Sequence, residues 1–412
     1  MPRSEVQLIR EKRIAKQNRA NNIQQDTPFD LHEDDDLPDD PQEEEEEEEN
    51  IPHTTTNQHT HTSHKHTNTK PTTTNNTHIP QINKAWETKI HIDQPQQVDD
   101  MFCVSFSQDD ILVAVGSADG AVRIFNADNG KHVYTLIDHE HVISLPATCM
   151  RFRPGTNSSK MRNILLVAGA DGTVRHWHVT SRKCVNFIQE ANNQVNAVEF
   201  NHDGSMFATA GRDTKVRLYD EETRRCLHTL CGTSTSGIDR MSGGHSNRIF
   251  ALKWGDDPHT LLSAGWDNTV QIWDTRHAKA VSSIYGPHVC GDAIDIRGDI
   301  LLTGSWRPSN QLQEWDIRNG QLAYEYDWGN DIGGQGCSLY AAKYSRNEAS
   351  PYVFAGGSGS NELKVFSYAT RLPICGATLP KGLYGLSVSR SGTKVAAVVG
   401  DDKLRTFEMP TI

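Results

Sequence analysis

The chain has 412 residues and a formal net charge of −12, and this length allows one large domain with a tail. Residues 1–80 hold 17 acidic against 8 basic side chains, which leaves a net charge of only −3 for residues 81–412. No strongly basic surface is expected, so nucleic acid is not an expected partner. No apolar run approaches the roughly 18 residues of a membrane span, so no membrane contact is expected.

Residues 1–80 are predicted to be a disordered tail. Asp30 to Glu49 carry 14 acidic residues and end in seven consecutive Glu, and like charges at this density repel one another and prevent collapse. The stretch is either a solvated tail or an arm for a basic partner. The His-, Thr- and Asn-rich tract from Ile51 to Pro80 lacks the Cys or carboxylate ligands that would complete a metal site. We therefore predict no metal and no cofactor.

Eight cysteines are scattered along the chain, none in a C-x-x-C pair, and no signal peptide is visible at the N-terminus. Reduced cysteines that pack as small hydrophobic side chains fit this distribution. The expected location is cytoplasmic or nuclear, with the cilium as an alternative.

After the tail, Lys84 to Asp93 alternates apolar and polar side chains, which predicts an isolated half-buried strand. Seven related segments follow. The clearest is Leu261 to Arg276, LLSAGWDNTVQIWDTR, which reads as two short strands joined by a tight turn. The segments end on aromatic residues that are 52, 42, 54, 42, 51 and 41 residues apart. These aromatic residues are Phe125, Trp177, Tyr219, Trp273, Trp315, Phe366 and Phe407.

A repeat of about 40–45 residues with Gly-His before Trp-Asp is typical of a propeller blade. Gly244-His245 precedes Trp273-Asp274 in this way, so the chain resembles the WD-repeat β-propellers from about Lys84 to its end. The resemblance implies an all-β fold: a seven-bladed β-propeller of four-stranded antiparallel blades over residues 84–412. The seventh segment supplies three strands. We expect the strand at Lys84–Asp93 to complete it and close the ring, because closure removes open sheet edges.

An Asp stands six residues before five of the terminal aromatics, where it can accept hydrogen bonds from a turn backbone. Only the fourth segment has all four residues of the family's structural tetrad: His245, Ser263, Asp267 and Trp273. The resemblance implies a buried polar network that fixes the blade. A Ser–His–Asp catalytic group is the alternative, and the order and spacing favour the structural role. Because no phosphate loop, metal-ligand spacing or nucleophile elbow occurs, we predict no enzyme activity.

Candidate partner-binding residues belong to the face that the resemblance identifies as the top. Aligning the first strands of the seven segments gives one column of residues near their start, and four of the seven residues in this column are aromatic. They form either a rosette for a peptide or packing between blades. The position before the turn Asp is exposed in the family, and a Trp there is our first candidate for a contact. The candidates are Phe102, Phe250, Tyr340 and Tyr384 from the strands, and Arg212, Trp266 and Trp306 from the turns.

The sequence Trp273-Asp274-Thr275-Arg276 recurs as Trp315-Asp316-Ile317-Arg318. This W-D-x-R ending resembles the box of substrate receptors of cullin–RING ubiquitin ligases, in which Arg276 and Arg318 would contact the adaptor. The leading prediction is a non-enzymatic scaffold that binds a protein partner on the top face, within a multi-subunit complex. A ligase substrate receptor and a structural subunit of a large assembly, such as a ciliary axoneme, are the alternatives.

Overall fold

The structure is a computed structural model that describes residues 79–90, 100–138, 145–155, 163–232, 243–329, 336–346 and 352–409. Residues 1–78 of the predicted tail lie outside these residues, whereas Pro80, at its end, accepts a hydrogen bond from the Gly376 N–H of blade six (3.0 Å). Within them, 28 strands form seven four-stranded antiparallel sheets. The prediction of seven four-stranded blades is confirmed.

A first strand, β1 (Asn83–Lys89), precedes the blades. Blade one contains β2 (Met101–Phe106), β3 (Leu112–Ser117), β4 (Val122–Asn126) and β5 (His132–Leu136). Blade two contains β6 (Ala147–Phe152), β7 (Ile164–Gly169), β8 (Thr173–His178), a 3-10 turn (Val179–Ser181) and β9 (Lys183–Gln189). Blade three contains β10 (Val195–Phe200), β11 (Met206–Gly211), β12 (Val216–Asp220) and β13 (Cys226–Leu230).

Blade four contains β14 (Ile249–Trp254), β15 (Thr260–Gly265), β16 (Thr269–Asp274) and β17 (Lys279–Tyr285). Blade five contains β18 (Ile294–Arg297), β19 (Ile300–Gly304), β20 (Leu312–Asp316) and β21 (Gln321–Glu325). Blade six contains β22 (Ser338–Tyr344), β23 (Tyr352–Ser358), β24 (Glu362–Ser367) and β25 (Pro373–Thr378). Blade seven contains β26 (Leu383–Val388), β27 (Lys394–Val399) and β28 (Lys403–Glu408).

The first strand of each blade contacts the first strands of both neighbouring blades, from β2 through β6, β10, β14, β18 and β22 to β26 and back to β2. These strands therefore surround the central channel, and the last strand of each blade forms the outer rim. Because the strands alternate in direction, the loops that precede the inner strands share one face with the turns between second and third strands. We call this face the top and the opposite face the bottom.

The ring closes through β1, which pairs antiparallel with β28 from Asn83 opposite Glu408 to Lys89 opposite Lys403. The expected closing strand is confirmed, and it supplies the outer strand of blade seven. It ends at Lys89, with Ile90 buried beside it. Residues 91–93 of the predicted strand lie outside the described part of the chain.

The closing segment also contacts both blades next to blade seven. On blade one, the Trp86 indole N–H donates to the Ala127 carbonyl (3.0 Å) and the Thr88 hydroxyl donates to the Gly130 carbonyl (2.8 Å). Gly130 has a φ of 68°, and a Cβ on it would lie 2.4 Å from the Trp86 ring. On blade six, the Ile82 N–H donates to the Gly376 carbonyl (2.9 Å). The segment thus joins three blades, a feature that the sequence did not predict.

We expect Trp86→Ala to lower the free energy of unfolding by about 2–4 kcal/mol, because it removes both a large half-buried side chain and the bond to blade one. The control is Tyr285→Ala. It removes another aromatic side chain from an outer strand, but this one is 76% exposed, so a change within about 0.5 kcal/mol is expected. Chemical denaturation measures both. Equal effects would contradict the role assigned to Trp86.

A second prediction concerns the charge of Glu87 on the closing strand. Its carboxylate accepts from Lys403 (2.7 Å), Lys84 (3.1 Å) and Arg405 (3.0 Å), and the bond from Lys403 is the main cause of a pKa lowered to about 2. A carboxyl with a lowered pKa stabilises the fold above its unfolded pKa, near 4.3, and this contribution is lost as the pH falls towards 2.

We therefore expect Glu87→Gln to be less stable than the parent at pH 6, with the difference shrinking as the pH falls from about 5 towards 2. Urea unfolding midpoints at several pH values measure it. Glu222→Gln, the same change at an exposed turn of blade three, is the control and should follow the parent curve. A gap between Glu87→Gln and the parent that stays constant down to pH 2 would show that the ion pairs do not cause it.

Candidate functional site on the top face

Blade four contains a continuous chain of hydrogen bonds from the top loop to the third strand. Asp267 Oδ2 lies 2.8 Å from His245 Nδ1, and His245 Nε2 lies 2.7 Å from Ser263 Oγ. The Trp273 indole N–H donates to the same Ser263 oxygen (2.7 Å). All four residues of the expected tetrad are thus brought together. The pattern is satisfied when the imidazole carries its proton on Nδ1 and the serine hydroxyl donates to Nε2.

The Asp267–His245–Ser263 geometry resembles a hydrolase triad, but its surroundings differ. Ser263 is fully buried, with a relative exposure of 0%. A nucleophile must be reachable by a substrate carbonyl. Burial alone would raise the pKa of Asp267, but hydrogen bonds from His245, Thr269 and the Ser246 N–H outweigh it and hold the pKa below its usual value. The arrangement stabilises an ionised Asp inside the blade and fixes the loop before β14.

In four other blades, an arginine replaces the histidine as partner of the turn Asp. It lies two residues before the terminal aromatic, and its guanidinium binds the carboxylate four residues earlier on the turn. This pairing was missed in the sequence, where the Arg-x-aromatic ending of the third strand is its signal. The pairs are Asp119–Arg123, Asp171–Arg175, Asp213–Arg217 and Asp401–Arg405.

The residue that precedes each turn Asp marks one position on the top face. Its N–H donates to a carbonyl just before the inner strand, as from Arg212 to Gln194 (3.0 Å) and from Trp266 to Arg248 (3.0 Å). Trp306 donates to the His288 carbonyl (2.8 Å), six residues before β18, and stands three residues before Ser309 because the turn of blade five is longer; we take it as the blade-five equivalent. The other blades carry Ala118, Ala170, Gly359 and Gly400. Large side chains at this position are therefore confined to three consecutive blades, three to five.

Trp266 is half-buried and held on several sides. Its indole N–H donates to Cys290 Sγ (2.9 Å), and its ring lies 5.1 Å from the Phe250 ring between centroids. The Arg248 guanidinium lies over the Trp266 ring at 5.2 Å. Burial raises the pKa of the Cys290 thiol to about 12, so it remains a neutral acceptor. The fixed ring can contact a partner with little loss of side-chain entropy.

The aligned position on the inner strand is a β-bulge residue in six of the seven blades. In these blades the residue has no partner in the pairing between the first and second strands. A bulge inserts one unpaired residue and turns its side chain away from the regular alternation. The sequence identified these positions but not the bulges. The bulge residues are Phe102, Thr148, Asn196, Phe250, Tyr340 and Tyr384.

Burial separates the four aromatic members of this set. Phe250 and Tyr340 are 5% and 2% exposed, which favours the packing alternative over the rosette for these two candidates. They pack against neighbouring blades and support other rings. Phe102 and Tyr384 are half-buried, with centroids 6.5 Å apart, and Tyr340 supports Tyr384 edge-on at 5.5 Å. Phe102 and Tyr384 are the members of the set that retain accessible aromatic surface.

Three residues after the aligned position on each inner strand stands a second set of side chains, five charged and two serines. They line the channel around a cavity of about 450 Å³. Lys253 binds Asp295 (3.0 Å), and Lys343 binds Asp292 (2.6 Å). Arg151 reaches across from blade two to Asp292 with two bonds of 2.8 Å. The network was not predicted. Its positions, in ring order, are Ser105, Arg151, Glu199, Lys253, Asp295, Lys343 and Ser387.

Arg276 and Arg318 lie at the turns after the third strands of blades four and five, on the bottom face. Their side chains are 58% and 66% exposed, and each binds the Asp two residues before it. Hydrogen bonds from Arg318 hold the pKa of Asp316 at about 2, and those from Arg276 lower the pKa of Asp274. The two W-D-x-R arginines therefore present similar cations on adjacent blades, opposite the candidate top face.

Among the residues that the structure describes, no group of three or more His, Cys, Asp or Glu side chains could hold a metal ion. The described residues also contain no helix long and apolar enough to cross a membrane.

We expect Asp267→Ala to lower the free energy of unfolding by about 1–3 kcal/mol, because His245 and the Ser246 N–H lose an acceptor. Ser309→Ala, at the exposed equivalent position of blade five, is the matched control and should change stability by less than about 0.5 kcal/mol. Thermal and urea unfolding measure both. A loss for Asp267→Ala no larger than that of the control would rule out a stabilising tetrad.

Comparison with known proteins agrees with the architecture. The family model "WD domain, G-beta repeat" matches residues 93–126, 130–178, 182–220 and 225–274. The chain is 26% identical to the anaphase-promoting complex subunit cdh1 of Dictyostelium discoideum, over 79% of this chain and 44% of that protein. It is 24% identical to cell division cycle 20.1, cofactor of APC complex, of Arabidopsis thaliana, over 60% of this chain and 61% of that protein.

A shorter match, 31% identical, covers 28% of this chain and 35% of the target of rapamycin complex subunit LST8 of Saccharomyces cerevisiae. The chain thus spans less than two thirds of the length of these relatives. By their names, they are subunits or cofactors of multi-protein complexes. The matches show WD repeats over residues 93–274, and the seven closed blades show that the chain folds as a β-propeller.

Proposed function

We propose that this protein is a non-enzymatic interaction scaffold whose propeller binds a peptide or protein partner on its top face. The observation that carries the proposal is the confinement of large turn residues to blades three, four and five, as Arg212, Trp266 and Trp306. Decoration on one face of a repeat array usually marks its binding face. A propeller closed at every blade holds these side chains on a rigid frame, which lowers the entropy cost of binding.

The accessible aromatic rings define the expected contact. Trp266 on blade four and Tyr384 on blade seven are both half-buried, so each keeps a surface that a partner can cover. Buried rings hold them in place: Phe250 behind Trp266, and Tyr340 behind Tyr384. Anchored aromatics of this kind carry much of the binding energy in protein interfaces. The similarity to complex subunits supports assembly into a multi-subunit complex.

The alternative of a ubiquitin-ligase substrate receptor has one observation in its favour. Arg276 and Arg318 are exposed on the same face of adjacent blades and stand opposite the top-face aromatics. A receptor needs two separate surfaces, one for the substrate and one for the adaptor, and this placement supplies them. The third alternative is a subunit of a structural assembly such as a ciliary axoneme. In that case the top face would bind another subunit of the assembly.

The test is affinity capture of the tagged full-length chain from its native cells, with the bound proteins identified by mass spectrometry. We expect the double change Trp266→Ala and Tyr384→Ala to abolish capture of the main partner. Loss of one hot-spot side chain costs about 2 kcal/mol or more, which is roughly a thirty-fold loss of affinity. Arg276→Ala with Arg318→Ala should spare that partner. Val281→Ala with Tyr285→Ala, on the exposed outer rim, is the control for removal of exposed apolar side chains away from the top face.

If the arginine pair abolishes capture while the aromatic pair does not, the receptor alternative replaces the scaffold proposal. If the arginine variant loses a cullin adaptor but keeps the main partner, the result would support a partner site on the top face and an adaptor site on the bottom face. Capture that survives in every variant would contradict a top-face site at Trp266 and Tyr384.

A further inference from the structure

The junction of blades four and five gathers two tryptophans and two arginines on the top face. Asn268 Oδ1 accepts a bond from Arg307 Nη2 (2.7 Å) and also pairs with His288 Nδ1 (2.7 Å). The His288 and Trp306 rings lie 6.5 Å apart between centroids. Trp266 stands on the other side of the junction, bonded to Cys290 and covered by Arg248. These contacts fix the position of Arg307 relative to Trp266.

The turn that carries Arg307, residues 305–311, contains no carboxylate of its own. Asp267 is turned into blade four, where His245, Thr269 and the Ser246 N–H bind it, and its side chain is 3% exposed. In blade five, Ser309 takes the place of the turn Asp and carries no charge. The turn that carries Arg307 therefore presents a cation without the acid that other blades place beside it.

The groups around Arg307 respond to its charge. Burial is the first cause that lowers the pKa of His288, and the Arg307 guanidinium lowers it further. Arg307 also opposes the effect of burial on the pKa of the Cys290 thiol, to which Trp266 donates. The field of Arg307 thus extends to the atoms that hold Trp266. His288 is kept neutral by both causes and adds no competing charge near neutral pH.

We propose that the junction of blades four and five binds a peptide segment in which an anionic side chain, a carboxylate or a phosphate, lies next to an apolar one. The inference rests on the proposed top-face function and specifies its partner. The apolar side chain covers the exposed part of the Trp266 ring. The anion binds Arg307, whose planar guanidinium has five N–H donors and gives one of them to Asn268. Asn268 orients the guanidinium, so a bidentate contact loses less entropy on binding.

An array of synthetic twelve-residue peptides tests this proposal with the full-length chain. The peptides share a central Leu or Phe in uncharged flanks, and the residue two positions later is Glu, phosphoserine or Gln. Fluorescence anisotropy measures the Kd of the binders. We expect Glu or phosphoserine peptides to bind at least tenfold more tightly than their Gln counterparts, and 0.5 M salt to reduce the difference, because salt screens partly exposed charges. Preference for phosphoserine alone, or for both anions, identifies the source of the charge.

Four variants complete the design. Arg307→Gln should remove the anion preference, and Arg307→Lys should restore part of it, since Lys keeps the charge without the bidentate geometry. Trp266→Ala should weaken anionic and neutral peptides alike. Arg276→Gln, on the bottom face, should change nothing. Thermal melting of each variant confirms that the ring remains folded, since Arg307 lies in an irregular turn outside the strands.

The outcomes are distinguishable. Equal binding of Glu, phosphoserine and Gln peptides, still lost in Trp266→Ala, would overturn the anionic partner and leave the top-face function standing. An anion preference that persists in Arg307→Gln would overturn the role of Arg307. Peptide binding that ignores both Trp266 and Arg307 would count against the proposed function as well. If no peptide binds, the inference fails, and the capture experiment alone decides the proposed function.

Discussion

Closure of the ring is the constraint on which the rest of the structure depends. A blade on its own has two open edges and faces that need a neighbour to cover them. The inner strands contact one another all the way round, and blade seven is completed only by β1, from the opposite end of the chain. The bonds from Trp86 and Thr88 to blade one, and from Ile82 to blade six, extend this closure over three blades. Every top-face residue depends on the ring for its position.

Within the closed ring, five blades hold a turn Asp in place with a partner side chain from the same blade. A turn Asp that accepts backbone N–H groups near the protein interior needs a cationic or hydrogen-bonding partner, because an unpaired buried charge is costly. His245 fills this role for Asp267, and arginine does so for Asp119, Asp171, Asp213 and Asp401. Blade five has no such acid. Its longer turn has Ser309 at this position and carries Trp306 and Arg307 on the top face.

The repeat itself could be predicted from the sequence, because strand alternation, turn residues and spacing are local and recur in seven segments. The closing strand could also be predicted, since the last segment lacks one strand and an isolated strand stands before the first. The burial of Phe250 and Tyr340 could not. It depends on bulges in the inner strands and on rings from other strands: Trp266 of the same blade packs on Phe250, and Tyr384 of the next blade packs on Tyr340. The charged network of the channel was missed for a related reason. Arg151 and Asp292 are 141 residues apart and meet only across the channel.

The two faces of the ring carry different kinds of side chain, and this difference bears on function. On the bottom, Arg276 and Arg318 are exposed, yet each is bound to an Asp of its own turn, so a partner there must compete with an existing ion pair. On the top, the turn Asp residues of five blades are bound within their own blades, and the rings of Tyr384 and of Trp266, which lies under Arg248, stay partly open. A partner on that face gains apolar burial at preformed rings without first breaking the blade networks. This difference favours the top face over the bottom face as the site of the proposed function.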